Sequence, residues 1–307
     1  MYFIFDMDET LANTGSIPYY IATLSLKETV SNKMNMEYLN INKIKVPSTL
    51  VQSLDKSYKH FVELIIKEET SKNPLGILRP GILSVMSKLY KLQKEGKIKC
   101  VLIYSNNRQL KCVEFIRDLI HSYLGTKRLI RECIHVLHPY RIVNVGDKTV
   151  DDIKNILIKG TCKAPKSIDQ ERIYFFDNFN YIDFYNNVNN FYNVPSYNVN
   201  VSPDRVSSIY RQAICNVNSD MYVKYMTELI GEKTITEIGE TPITSIDDII
   251  VLFKTMNKNM VGQSNIEIDD KPDYGINMMM DAIKKVSRKI KTIKTTKTTD
   301  KTRKKYR

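Results

Sequence analysis

Asp6 and Asp8 are separated by one residue, and both follow the apolar run Tyr2-Phe3-Ile4-Phe5 at the start of the chain. A buried strand that ends in carboxylates delivers them to the rim of a sheet, where a parallel α/β fold places its ligand crevice. Two carboxylates so close repel each other, and a divalent cation relieves that repulsion. Asp6-Met7-Asp8-Glu9-Thr10 therefore reads as a nucleophile and an acid/base partner gathered around Mg²⁺. Acidic pairs also occupy ordinary surface turns, so the pair alone leaves that alternative open.

Two further segments repeat the design of an apolar strand with polar residues at its end. The run Lys99–Tyr104 leads into Ser105-Asn106-Asn107, and Arg172–Phe176 leads into Asp177-Asn178. A shorter strand is expected at Ile134–Leu137 and another at Tyr197–Val201. Helices are expected from Pro47 to Lys72, after Arg79-Pro80-Gly81 as far as Gly96, over 108–124, and from a Thr149 cap to Ile158. Asp152 stands three residues after Thr149, the spacing of a capping box. Such alternation predicts an α/β fold with an open, Rossmann-like parallel sheet and helices on both faces. The polar strand ends must then gather on one side of that sheet.

The remaining segments flank this core. Residues 1–13 and 76–205 carry the strand–helix pattern, and 14–75 read as a mostly helical, cap-like insertion after the first strand, with a loop near 32–45. Residues 206–283 read as a helical extension, with helical stretches at Met221–Ile230 and Ile246–Met256 and a linker over 257–275. A further helix is expected to start at Ile276 and continue into the Lys/Thr-rich tail. Residues 284–307 read as a basic tail, disordered by its end.

These residues resemble the four motifs of haloacid-dehalogenase (HAD) superfamily phosphatases: Asp6-Met7-Asp8-Glu9-Thr10-Leu11, Ser105 after a strand, a lysine before a helix, and Phe175-Phe176-Asp177-Asn178. The first and last motifs are most like those of the RNA polymerase II C-terminal-domain phosphatases, as is the Arg-Pro-Gly helix. The resemblance covers about residues 1–205. It implies a HAD fold and a Mg²⁺-dependent phosphomonoesterase in which Asp6 attacks phosphorus to form an aspartyl-phosphate. Asp8 would protonate the leaving oxygen and then activate water. Thr10 would orient the first loop, and Ser105 and Asn106 would hold phosphate oxygens. Mg²⁺ would be bound by Asp6, the Asp8 backbone carbonyl and Asp177 or Asn178. Lys148 is the choice for the charge-neutralising lysine, with Lys154, Lys159 and Lys163 as competitors.

Composition bounds the setting. The 307 residues are 42% hydrophobic, enough to bury a core. No segment reaches membrane-spanning length, and no leader segment is expected. Five cysteines without CxxC spacing are expected to be free thiols in a reducing, cytoplasmic compartment, with a nuclear location left open. The four histidines have no ligand spacing and read as core or surface. Between Lys284 and Arg307, nine lysines, three arginines and one aspartate carry +11 of the net charge of +12. That run could attach without sequence preference to nucleic acid or an acidic partner, or merely solubilise the chain. A phosphoprotein is the favoured substrate. A small-molecule or polynucleotide-end phosphatase, or a non-catalytic binding protein on the same scaffold, are the alternatives.

Overall fold

The strand Tyr2–Phe5 (β1) is buried at every position and forms the centre of the sheet. The computed structural model describes residues 1–25, 46–142, 147–166, 168–230, 242–260 and 273–303. Beside β1 lie Cys100–Tyr104 (β2) and, outside it, Ile130–Ile134 (β3). On its other side lie Ile173–Asp177 (β4) and Phe191–Asn193 (β5). Among the described residues these five strands pair in the order β3-β2-β1-β4-β5, all parallel. This is an α/β, Rossmann-like architecture. The chain builds outward from β1 through β2 to β3, then returns to place β4 on the opposite flank. The reversal puts a crevice at the carboxyl ends of β1 and β4, where open α/β sheets bind ligands.

Alternation along the central strands sends side chains into two cores. Phe3, Phe5, Val101, Ile103, Tyr174 and Phe176 enter one of them. There Phe3 stacks on Tyr174 and Phe5 on Phe176, each pair with ring centroids 4.9 Å apart. That face is covered by Pro18–Leu24 (α1), Ser48–Glu69 (α2), Ile82–Lys94 (α3) and Leu110–Leu124 (α4). Tyr2, Ile4, Leu102, Tyr104 and Phe175 enter the second core, covered by Val150–Lys159 (α5) and Ile182–Asn187 (α6).

Helix α2 buries Leu50, Leu54, Phe61 and Ile65, the spacing of one helical face. It packs on α4 and on Pro203–Ala213 (α7), so the described helices of 14–75 share the core of the sheet's first face. Ser219–Ile230 (α8) and Ile246–Met260 (α9) extend that layer. The last helix, Tyr274–Arg303 (α10), packs against α3. The helix expected from Ile276 into the basic tail is thus present, starting at Tyr274 and running to Arg303. The loop expected at 32–45 and the terminal 304–307 lie outside the described residues, as do residues 261–272 of the linker expected over 257–275. The ends of that stretch are instead helical, 257–260 closing α9 and 274–275 opening α10.

Both edge strands differ from their expected positions. β3 begins four residues earlier than Ile134 and ends there, so 135–137 are not strand; exposed Arg131 and half-buried Glu132 interrupt the apolar run that would have marked it. Residues 197–201 are not a strand. They cross behind the first loop, where the Tyr197 amide donates to the Glu9 carbonyl at 2.7 Å and its hydroxyl to the Gly76 carbonyl at 2.9 Å. The sheet instead gains the short β5.

The expectation of five free thiols is also corrected. Cys100 at the start of β2 and Cys162 after α5 are joined in a disulfide, with Cα atoms 5.8 Å apart. Their separation of 62 residues has no sequence signature; packing of α5 on the second face brings them together. Cysteine usage therefore no longer argues for a reducing compartment. Cys112, Cys133 and Cys215 are free. Among the described residues no helix is long and apolar enough to cross a membrane.

Candidate active site

Asp6 directly follows β1 and Asp177 ends β4, and register pairs the strands so that Phe5 faces Phe176. The two carboxylates consequently share the crevice, with Lys148 between them. Its ammonium hydrogen-bonds Asp6 Oδ1 and lies 2.6 Å from Asp177 Oδ2. The lysine side chain is buried, and the rings of Tyr104, Phe175 and Tyr181 stand 5.5–5.8 Å from its nitrogen. Aromatic faces attract a cation and exclude water, so they hold the ammonium at this point. Lys148 sits there because Thr149 starts α5: the Thr149 hydroxyl accepts the Asp152 amide at 3.1 Å, and Asp183 accepts the Val150 amide at 2.8 Å. Lys154, by contrast, is turned to Asp151.

The loop after β1 folds around one carbonyl. Met7 O accepts the amides of Thr10, Leu11 and Ala12, and Glu9 adopts φ 57°. A non-glycine residue in that region is uncommon and needs outside support. Arg79 supplies it: its guanidinium donates to the carbonyls of Thr10 at 3.1 Å, Glu9 at 3.4 Å and Pro195 at 2.7 Å. Thr10 meets the β4 loop in a reciprocal pair, donating to Asn178 Oδ1 at 3.2 Å and accepting the Asn178 amide at 3.0 Å.

Asp8 sits on the β2 side of the crevice. Its Oδ1 accepts Thr14 Oγ1 at 2.9 Å, and its Oδ2 accepts Ser105 Oγ and Asn107 Nδ2, each at 3.3 Å. The Asn107 amide donates to Ser105 Oγ at 2.9 Å, closing the turn after β2. Asn106 donates to the Tyr181 hydroxyl at 3.1 Å and accepts from Arg141 at 3.0 Å. Asp6, Asp8, Thr10, Ser105, Asn106, Lys148, Asp177 and Asn178 all lie at this one edge of the sheet. Sequence reasoning did not single out Thr14, Asn107, Arg141 or Tyr181, nor Arg79 as the support of the loop. Asp152, read as a capping-box partner, turns its carboxylate instead to the Tyr104 hydroxyl at 2.9 Å.

Electrostatics follow from burial. Removal from water pushes the Asp8 carboxyl up to about 6, helped by the charge of Asp6 and opposed by its three hydrogen bonds. Burial likewise raises Asp6 against the pull of Lys148 and pushes Asp177 up to about 7. Despite its own desolvation, Lys148 is raised by the two carboxylates. Asp6, Asp8 and Asp177 outnumber Lys148, so the fully ionised site is negative and built of hard oxygen donors. Hard oxygens are the donor type Mg²⁺ prefers, but among the described residues no three acidic, His or Cys side chains converge as a metal-binding group. The Asn178 amide does not point inward with the carboxylates; its Nδ2 donates to Glu9 at 3.1 Å and Ser196 at 3.2 Å. A separate cleft of about 760 Å³ between α2 and α4, bordered by Tyr58, Val62 and Ile130, opens at the amino end of β3, away from these carboxylates.

Comparison with known proteins finds no match: no protein-family model, no curated protein and no solved structure matches this chain.

Proposed function

We propose that the protein is a phosphomonoesterase of the HAD type that works through an aspartyl-phosphate on Asp6. One observation carries the reading: Asp6 and Asp177 flank the buried Lys148 at the β1/β4 crevice, with the raised carboxyl of Asp8 beside them. Asp6 is the nucleophile: Lys148 draws its carboxyl toward the ionised form against the opposing effect of burial, and a carboxylate attacks phosphorus without a separate base. Its oxygen bonds to phosphorus as the bond to the leaving oxygen breaks. A carboxyl held near 6 retains a proton for part of the neutral range, so Asp8 delivers that proton to the leaving oxygen. Once ionised, Asp8 takes a proton from the water that hydrolyses the phosphoaspartate. Ser105 and Asn106 orient the phosphate oxygens, and Lys148 neutralises charge that spreads onto them. Asp6, Asp177 and the Asp8 carbonyl would hold Mg²⁺, with Asn178 joining only if its amide turned from Glu9 and Ser196. When bound, the ion neutralises the carboxylates and the incoming phosphate.

A phosphoprotein is the substrate class we favour. Large apolar side chains stand exposed at the same edge of the sheet: Phe179 (62%), Ile182 (78%) and Tyr185 (73%) after β4, and Leu137 (58%) and Ile142 (63%) after β3. An apolar rim of this kind suits a polypeptide better than a small polar metabolite. The basic run after Lys284 favours, as a second reading, a polynucleotide end.

The test is hydrolysis of p-nitrophenyl phosphate with Mg²⁺, comparing the wild type with Asp6→Asn. Turnover that is lost in the variant and on chelation of the metal supports the proposal. Equal inertness of both proteins, with the chain retarding DNA or RNA in a gel, would establish the non-catalytic binding alternative instead.

A further inference from the structure

Arg141 lies outside every motif behind the phosphatase reading, yet its guanidinium is fully enclosed. Nη1 donates to the Ser105 carbonyl at 3.3 Å, and Nη2 donates to Asn106 Oδ1 at 3.0 Å and to the Asp147 carbonyl at 3.2 Å. The Tyr104 ring lies 4.9 Å from its central carbon. One rigid fork therefore ties the turn that follows β2 to the residue preceding Lys148. That turn carries Ser105 and Asn107, both of which hydrogen-bond Asp8.

We infer that Arg141 is a positioning residue for proton transfer. By fixing the turn, it aims the Ser105 and Asn107 donors, and through them the Asp8 carboxyl, at the leaving oxygen. Three donor–acceptor pairs on two segments require the planar fork of arginine. A lysine offers a point charge and cannot span them in the same geometry. Displacement of a catalytic group by even 1 Å costs on the order of a hundredfold in rate. The cost falls on whichever substrates need the proton.

This inference rests on the phosphatase reading, and the experiment separates the two. Arg141→Lys and Arg141→Gln are compared with the wild type on an alkyl phosphate, which needs a proton on departure, and on p-nitrophenyl phosphate, which leaves readily without one. The expected result is a loss on the alkyl ester about tenfold greater than on the aryl ester. The ratio of the two rates is independent of how much variant is folded, so a destabilised variant still reports. Equal proportional losses would make Arg141 a purely structural residue and overturn the inference alone. An inert wild type overturns the phosphatase reading and the inference with it.

Discussion

Arg79 and Asp273 are 194 positions apart, and the Arg79 Nε donates to Asp273 Oδ2 at 2.6 Å. The pair joins the residue just before α10 to the arginine that supports the first loop. Gly275 lies against the same guanidinium, where a Cβ would come within 2.9 Å of it. The far end of the chain therefore braces the Glu9 and Thr10 carbonyls through one side chain. Asp273→Asn removes the charge but retains an acceptor. It should cost about 2 kcal/mol in a denaturant titration, the scale of a charged hydrogen bond. Gly275→Val should reduce turnover as well as stability, since it presses on the guanidinium. A Gly275→Val protein with unaltered kcat would show that the loop does not depend on this brace.

Asp8 and the leaving group offer a kinetic prediction. With its carboxyl at about 6, the protonated acid is lost as pH rises through that value. For the wild type acting on an alkyl phosphate, kcat should decline above about pH 6, and less steeply for the p-nitrophenyl ester. Asp8→Asn should slow the alkyl ester about 100-fold or more, the usual contribution of a general acid. Identical pH profiles for the two esters would remove Asp8 from that role.

How far the sequence anticipates this site depends on where each partner lies. β1, β2 and β4 are legible because central strands of a parallel sheet are buried on both faces and read as unbroken apolar runs. β3 and β5 lie at the edges, where Arg131, Glu132 and Asn193 dilute that signal. Lys148 stands out because Thr149 marks the start of a helix. Arg79 and Arg141 do not, because their acceptors are largely backbone carbonyls, and any residue type supplies one. Arg141 reaches Ser105 from 36 residues away, and only the return of the chain across the sheet creates that contact. The Cys100–Cys162 pair is hidden for the same reason.

Asp177 supplies a prediction about stability. Its folded-state carboxyl is held near 7, above the ordinary 3.8. Between these values the folded protein keeps a proton that the unfolded chain has released. The resulting stability is present in acid and is lost as pH rises toward 7. Asp8 and Glu69, raised to about 6 and about 7, act in the same direction, while His121, lowered to about 4, opposes them. A comparison with Asp177→Asn cancels those groups, whereas Asp6, also raised by burial and bound to the same Lys148, titrates together with Asp177 and is read with it. In chelator, the wild type should lose thermal stability relative to the variant between pH 4 and 7.5. Millimolar Mg²⁺ at pH 7.5 should raise the wild-type Tm more than that of the variant. A difference between the two proteins that stays constant with pH would contradict the raised Asp177 carboxyl.

The apolar rim yields a prediction about substrate choice. Phe179, Ile182 and Tyr185 follow Asp177 directly, and the Phe179 amide donates to Asp177 Oδ1 at 2.8 Å. This segment therefore borders the carboxylate crevice on the β4 side. Ile182 and Tyr185 are exposed, so their replacement by serine should alter stability by no more than about 0.5 kcal/mol. The Ile182→Ser/Tyr185→Ser double variant should raise KM for phosphopeptides about tenfold while kcat on p-nitrophenyl phosphate is unchanged, because the small ester does not reach the rim. The tenfold figure corresponds to about 1.4 kcal/mol, within the reach of two partly buried apolar contacts. A KM for phosphopeptides that is unaffected by the double variant would direct the search toward nucleotides and sugar phosphates.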